Sequence, residues 1–228
     1  MQEDDSSLRL PDFGQVFDRD AELLIDQHVR PHWMQAGTIT FVTMRLADSI
    51  PREVIERWDR ERLEYLLIRG ISCQDWRVGR SQLSKVDHAE FEQRCRRLRE
   101  DELDTCHGRC VLRDPTAAKM VADALLHFDQ QRYLMGDFVV MPNHVHLLAG
   151  FPDSESMRKQ CYSWMKFSAT QINRLIGQKG SLWQEEPFDH LVRSEKQLVY
   201  LRSYIEQNPI RAKLGNAEYF YRKSNRSF

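Results

Sequence analysis

The stretch Met141-Pro-Asn-His-Val-His-Leu-Leu-Ala-Gly150 constrains the fold more than any other. Pro142-Asn143 is turn chemistry, so Phe138 to Met141 and His144 to Leu148 read as the two arms of a tight antiparallel hairpin. In a strand successive side chains point to opposite faces. His144 and His146 therefore project together from one face while Val145 and Leu147 enter the other. Two imidazoles side by side suit a metal site, and they suit equally the solvated face of a half-buried strand.

A second segment, Leu198 to Lys213, reads as a helix that ends at Pro209, because the residue before a proline is pushed out of the helical region. Tyr200, Tyr204 and Asn208 recur in it at four-residue steps and so share one helix face. A phenol and a carboxamide then occupy one surface.

The remaining pattern alternates strands and helices. Residues 1–36 open on Glu3-Asp4-Asp5-Ser6-Ser7 and reach an apolar patch at Leu23-Leu24-Ile25, which reads as a tail and a short peripheral helix. Gly37 to Leu46 is rich in Thr, Val, Ile and Phe, as a first strand is. Ser49 and Pro51 start a helix whose stripe of Val54, Ile55, Trp58, Leu63, Leu66 and Leu67 stops at Gly70. A charged helix follows over about 87–103, with Phe91, Cys95 and Leu98 on its apolar side, giving a helical insertion over about 50–103. Asp114-Pro115 begins another helix, with Ala118, Val121, Leu125 and Phe128 at helical spacing. Tyr133 to Met141 returns to strand. A further helix spans 157–178, with Met157, Cys161, Trp164, Ile172 and Leu175 inward and Lys166 outward. Residues 180–190 read as a loop and 215–228 as a basic tail. These elements predict an α+β fold, an antiparallel sheet with helices packed on one face.

At this point the chain resembles a known family, the REP-associated tyrosine transposases, the single-tyrosine branch of the HUH single-strand DNA nucleases. The resemblance rests on Phe138-Val-Val-Met-Pro-Asn-His-Val-His-Leu-Leu, on Ser163-Trp-Met-Lys-Phe-Ser-Ala-Thr, on Leu182-Trp-Gln with Phe188-Asp-His, and on Tyr204-Ile-Glu-Gln-Asn-Pro-Ile-Arg-Ala. Phe41-Val-Thr-Met-Arg-Leu, Ser49-Ile-Pro, Asp104-Thr-Cys-His-Gly and Leu112-Arg-Asp-Pro extend it, in order, over 37–214. It implies the ferredoxin-like or RNA-recognition-like sheet of HUH nucleases over those residues. It also implies a nuclease and strand-transferase acting on single-stranded hairpin DNA. Carried over residue by residue, it makes Tyr204 the nucleophile and His144, His146 and Asn208 the ligands of Mg²⁺ or Mn²⁺. Lys166, Trp183, Arg211 and Lys213 become candidate DNA contacts, Trp183 either stacking on an unpaired base or filling the core. Where members of the family often carry a basic residue after Trp-Gln, this chain has Glu185-Glu186, and carboxylates there would repel a DNA backbone.

The chemistry can be reasoned apart from the resemblance. Breaking one strand without losing the bond's energy calls for a nucleophile that keeps the phosphate covalently, and a tyrosine phenolate does so. A divalent cation can damp the phosphate charge and stabilise the leaving oxygen. Two other readings use the same residues: a hairpin-binding module without chemistry, and a phosphodiesterase in which metal-bound water attacks.

Charge fits such a partner only when divided. The formal charge of the 228-residue chain is −1. Residues 157–228 carry 13 Lys and Arg against 6 Asp and Glu, a balance of +7, leaving 20 against 28, or −8, for the rest. The basic portion contains Tyr204, where a phosphate backbone would be held. The five cysteines are odd in number, with no signal peptide to read, which predicts reduced thiols and a cytoplasmic protein. Cys106-His107-x-x-Cys110 lacks the second pair that a zinc site needs. No apolar run is long enough to span a membrane. A monomer is expected, with a dimer the alternative.

Overall fold

The computed structural model describes residues 15–18, 24–27 and 31–225. In chain order its elements are β1 (Leu24–Gln27), β2 (Pro31–Met34), β3 (Ile39–Arg45), α1 (Arg52–Ile68), α2 (Trp76–Arg80) and α3 (Lys85–Asp104). A 3₁₀ turn at Val111–Arg113 leads into α4 (Pro115–Leu126), β4 (Leu134–Val140), β5 (His144–Gly150), α5 (Ser154–Leu175), β6 (Phe188–Leu191), α6 (Glu195–Arg211) and β7 (Phe220–Arg222). The chain divides into two compact units, one of residues Asp48–Cys110 and one of Met1–Ala47 with Val111–Phe228.

The larger unit is α+β, built on a five-stranded sheet of order β6-β3-β5-β4-β7 whose neighbouring strands are all antiparallel. The hairpin expected from Pro142-Asn143 joins β4 to β5, closed by the Met141 N–H donating to the His144 carbonyl at 2.8 Å. Helices cover both faces rather than the single face expected. On one face Val42, Met44, Val145 and Leu147 pack with Ala118, Val121 and Leu125 of α4 and Cys161, Trp164 and Ile172 of α5. On the other, Ile39, Phe41, Val139 and Leu148 pack with Leu198, Leu201, Tyr204 and Ile205 of α6. The physical reason lies in β5, every residue of which is buried, so neither of its faces is left to water.

The ends of the chain also differ from expectation. Leu24–Gln27 is a strand paired antiparallel with β2, not part of a peripheral helix. The acidic opening read as a tail lies outside the described residues. The segment read as a basic tail supplies β7, an edge strand on β4. Asp137 on β4, 1% exposed, explains how that segment is held. It accepts two hydrogen bonds from the Arg202 guanidinium of α6, at 2.9 and 3.2 Å, and one from the Ser224 N–H at 2.8 Å. Arg202 also donates to the Ser224 carbonyl at 3.0 Å. One buried carboxylate thus ties the sheet to the segment after β7 and to α6, through an arginine two residues before Tyr204.

The smaller unit is helical. Gly70, at φ +78°, ends α1 where the sequence predicts, with Ile71 and Gly70 N–H groups donating back to Leu66 and Leu67 carbonyls. Ile50, Val54, Trp58 and Leu103 form one apolar cluster and Tyr65, Phe91 and Cys95 another. Ile55 and Leu67, placed on the buried stripe by spacing, are 43% and 62% exposed. In the Cys106-His107-x-x-Cys110 loop, His107 Nε2 bonds Glu102 and the Cys110 thiol donates to the Cys106 carbonyl. Among the described residues no group of three or more His, Cys, Asp or Glu is placed to hold a metal, and no helix is long and apolar enough to cross a membrane.

Candidate active site

The sheet face covered by α6 gathers the chemically interesting side chains. His144 and His146 lie on β5 with ring centroids 4.6 Å apart, and they are 0% and 2% exposed. Each ring is held through Nδ1. His144 Nδ1 lies 2.7 Å from the Asn143 side-chain oxygen, and His146 Nδ1 lies 2.9 Å from Thr43 Oγ1 on β3. An amide oxygen can only accept, so Nδ1 of His144 carries the proton and Nε2 keeps its lone pair. The same tautomer at His146 lets Nδ1–H donate to Thr43 and leaves Nε2 as the lone-pair nitrogen. Imidazoles fixed in this way are arranged as metal ligands are, the outer hydrogen bond setting the ring and the tautomer. Asn143, read only as a turn residue, is 0% exposed and serves the site directly.

Burial keeps both rings neutral. It pushes the His144 pKa down to about 3, opposed by the nearby Asn208 amide oxygen, which would accept from the ring in its charged form, and aided by the positive charge of Arg45. It drives His146 well below the usual imidazole range, with the charges of His144, Arg211 and His190 adding to the effect. His144 Nε2 is buried and has no hydrogen-bond partner among the described residues. A buried polar atom left so is costly unless something else occupies its lone pair.

Helix α6 brings the third and fourth groups. It starts at a Ser194 cap, whose hydroxyl accepts from the Gln197 N–H while the Gln197 side chain accepts from the Arg193 N–H. It does not end at Pro209. The proline removes one donor, but the following turn closes through Ala212 N–H to Asn208 and Leu214 N–H to Pro209, carrying the helix to Arg211. Asn208 is thus fully helical and 0% exposed, with its carboxamide against His144. One turn earlier the Tyr204 phenol oxygen lies 3.4 Å from His146 Nε2, and the rings meet edge-on at 5.2 Å. Arg211 completes the cluster, its guanidinium 5.4 Å from the Tyr204 ring centroid.

The other tyrosines are placed differently. Tyr200 is 62% exposed and stacks beside Tyr204 at 6.4 Å, while Tyr219 and Tyr221 pack at the rim of the apolar cluster under α6.

The structure brings together His144, His146, Tyr204, Asn208 and Arg211, and it separates the rest. Lys166 is exposed on α5, which covers the opposite face of the sheet, and its amine lies 5.6 Å from the Tyr162 ring. Lys213 is exposed in the turn after α6, at φ +55°. Trp183 is 4% exposed, packed in the core under α5, with its indole N–H donating to Ser168 Oγ at 3.0 Å. It fills the core and is not a surface for stacking a base. Thr43 and Asp137 were missed by sequence reasoning. Thr43 is found only through the cross-strand register that sets it opposite His146, and nothing in the sequence signals Asp137.

The donor chemistry of these residues suits a divalent cation. The His144 and His146 Nε2 atoms and the Asn208 amide oxygen are neutral donors, with no carboxylate in the set. A cation held by them would keep its full charge and favour an anion in its open positions.

No family model matches the chain. Two proteins of Haemophilus influenzae (strain ATCC 51907 / DSM 11121 / KW20 / Rd) are similar over parts of it. One is an uncharacterized protein, 28% identical over 108 residues, spanning 37% of this chain and 58% of its own. The other is named "Putative REP-associated tyrosine transposase", 26% identical over 82 residues, spanning 32% of this chain and 47% of its own. The chain therefore matches about half the length of these relatives. A solved structure of a REP-associated tyrosine transposase bound to a REP hairpin aligns with 81% of this chain and 73% of its own, at 14% identity and a TM-score of 0.42. By its motifs and by the relative so named, this chain resembles the REP-associated tyrosine transposases.

Proposed function

We propose that the chain is a metal-dependent endonuclease and strand-transferase for single-stranded DNA, cutting and rejoining hairpins of the REP kind through a 5′-phosphotyrosine bond. The observation that carries this reading is the convergence of the Tyr204 phenol with two neutral imidazoles and a carboxamide on one buried sheet face. His144, His146 and Asn208 would hold Mg²⁺ or Mn²⁺, which when bound damps the phosphate charge and stabilises the leaving oxygen.

The chain's own residues do the rest. Asn143 holds the His144 ring in the tautomer that presents Nε2, and Thr43 orients the His146 ring through Nδ1. Helix α6, tied to the sheet by Arg202 and Asp137, fixes the phenol against His146, so attack starts from a positioned nucleophile. The phenol gives up its proton, the phenolate oxygen bonds the phosphorus as the bond to the 3′ oxygen breaks, and that oxygen takes up a proton from water to leave as a hydroxyl. The released 3′ hydroxyl can reverse the step, which makes cutting and joining one reaction. Arg211, beside the Tyr204 ring, supplies positive charge where the phosphate would lie. The reading includes a cytoplasmic monomer, with a dimer the alternative.

The test is covalent capture. End-labelled hairpin DNA with Mn²⁺ should give a protein–DNA adduct with the native chain and none with Tyr204→Phe. Cutting without an adduct would replace the tyrosine by metal-bound water, and hairpin binding without cutting would leave a binding module.

A further inference from the structure

Of the two roles open to Trp183 in the Trp-Gln segment, stacking on a base or filling the core, its burial matches the second. The segment's other residue points to a different use. Residues 182–184 run along the end of β3. Ala47 N–H donates to the Leu182 carbonyl, Leu46 and Trp183 form an antiparallel bridge, and Gln184 N–H donates to the Arg45 carbonyl at 2.9 Å. Trp183 anchors this segment from below through Ser168. The outcome is a fixed Gln184 whose side-chain oxygen accepts from the Arg45 guanidinium.

Arg45 is well placed for chemistry. Phe41, Thr43 and Arg45 alternate onto the site face of β3. Phe41 stacks on His146 at 5.3 Å, Thr43 binds its Nδ1, and Arg45 stands in register opposite His144. Its charge is felt at His144. Gln184 is neutral, so this bond orients the guanidinium and brings no opposite charge of its own. Arg211 approaches the same cluster from α6, at Tyr204. Two guanidinium groups, one on the sheet and one on the helix, thus flank neutral donors, an arrangement suited to a bridging phosphate group.

We infer that Arg45 is a contact for the phosphodiester backbone at the Tyr204 site, and that Gln184 is the residue that positions it. The inference rests on the proposed DNA-cleaving reading. It gives the Trp-Gln segment a mechanical role: Trp183 fixes the loop and Gln184 orients the cation. Arg45 holds the strand from the β3 side while Arg211 holds it from α6.

The experiment compares native protein with Arg45→Gln, Arg45→Lys and Gln184→Leu in single-turnover cleavage of end-labelled hairpin DNA at saturating Mn²⁺. Hairpin affinity is measured at several salt concentrations. Arg45→Gln should cut about 100-fold slower, the loss usual for one donor at a developing charge. Its salt slope should fall by about 0.7, the value for one phosphate contact on a single strand. Arg45→Lys should keep the slope and lose about 10-fold in rate, because a lysine lacks the planar fork. Gln184→Leu should slow cutting about 10-fold with native Mn²⁺ affinity and an unchanged Tm, which a merely structural role would not give. Cutting by Arg45→Gln within threefold of native, or an unchanged salt slope, overturns the inference. If native protein forms no adduct the nuclease reading fails by itself, and the salt slope of hairpin binding still decides the role of Arg45.

Discussion

The Tyr204 phenol oxygen stands 3.4 Å from Nε2 of His146, across the contact between α6 and β5. The two residues are 58 positions apart in sequence and meet because β5 turns the histidine toward the helix that covers its face. His146 is fixed from behind by Thr43, and Tyr204 by a helix held to the sheet through Asp137 and Arg202.

That tie gives a first prediction. Arg202→Met leaves the Asp137 carboxylate, 1% exposed, without its guanidinium partner. Breaking a buried pair from one side costs about 3–5 kcal/mol, reduced here because Arg202 keeps some contact with water. Urea unfolding should show a loss of at least about 2 kcal/mol, and an unchanged midpoint would mean that the pair does not hold α6 in place.

Stability without metal should depend on pH in a definite direction. Burial holds His144 at about 3, and His146 also lies well below the ordinary value. The unfolded chain takes up protons near pH 6.5 that the folded chain refuses, so stability falls as pH drops from about 7 toward the folded values. The limiting slope is about 1.4 kcal/mol per pH unit for each histidine. Urea midpoints in EDTA should decline between pH 7 and 5, and His144→Gln should flatten that decline. A native profile level over this range would contradict the neutral, buried imidazole pair.

Metal binding should be weak alone and stronger with DNA. Donors without a carboxylate leave the cation's charge for a phosphate to meet, so Mn²⁺ affinity measured by electron paramagnetic resonance should rise at least tenfold when hairpin DNA is added. His144→Ala should abolish the binding in both conditions. Equal Mn²⁺ affinity with and without DNA would argue against a cation shared between protein and phosphate.

Trp183 offers a test of core against interface. Trp183→Ala removes a buried indole and its bond to Ser168, a change that costs about 3–5 kcal/mol in a packed core. Under conditions where the variant remains folded, its hairpin affinity should match the native value. A loss of affinity without a loss of stability would return Trp183 to the DNA surface.

How far the sequence revealed this arrangement varies with the kind of signal. The β4–β5 hairpin and the spacing of Tyr204 and Asn208 are local patterns, and the structure keeps both. The helices α1, α3, α4 and α5 appear within a few residues of their expected ranges for the same reason. Short edge strands are different. Phe188–Leu191 and Phe220–Arg222 are strands only because β3 and β4 offer them a partner, so local sequence read one as loop and the other as tail. Periodicity also missed the second covered face, since alternation along β5 reports polarity, and its polar residues His144 and His146 are buried. Pro209 illustrates a rule that bends, because the helix tolerates the loss of one donor when the next turn closes past it. Arg45 and Gln184 are 139 positions apart, and their meeting follows from strand register alone.

The most direct measurement of the central claim is a denaturing gel of end-labelled single-stranded hairpin DNA incubated with Mn²⁺ and either native protein or Tyr204→Phe. The account predicts a protease-sensitive, slow-migrating adduct on the 5′ end of the strand downstream of the cut with the native chain, and neither adduct nor cut strand with the variant. A cut strand bearing a free 5′ phosphate, formed equally well by the variant, would contradict it.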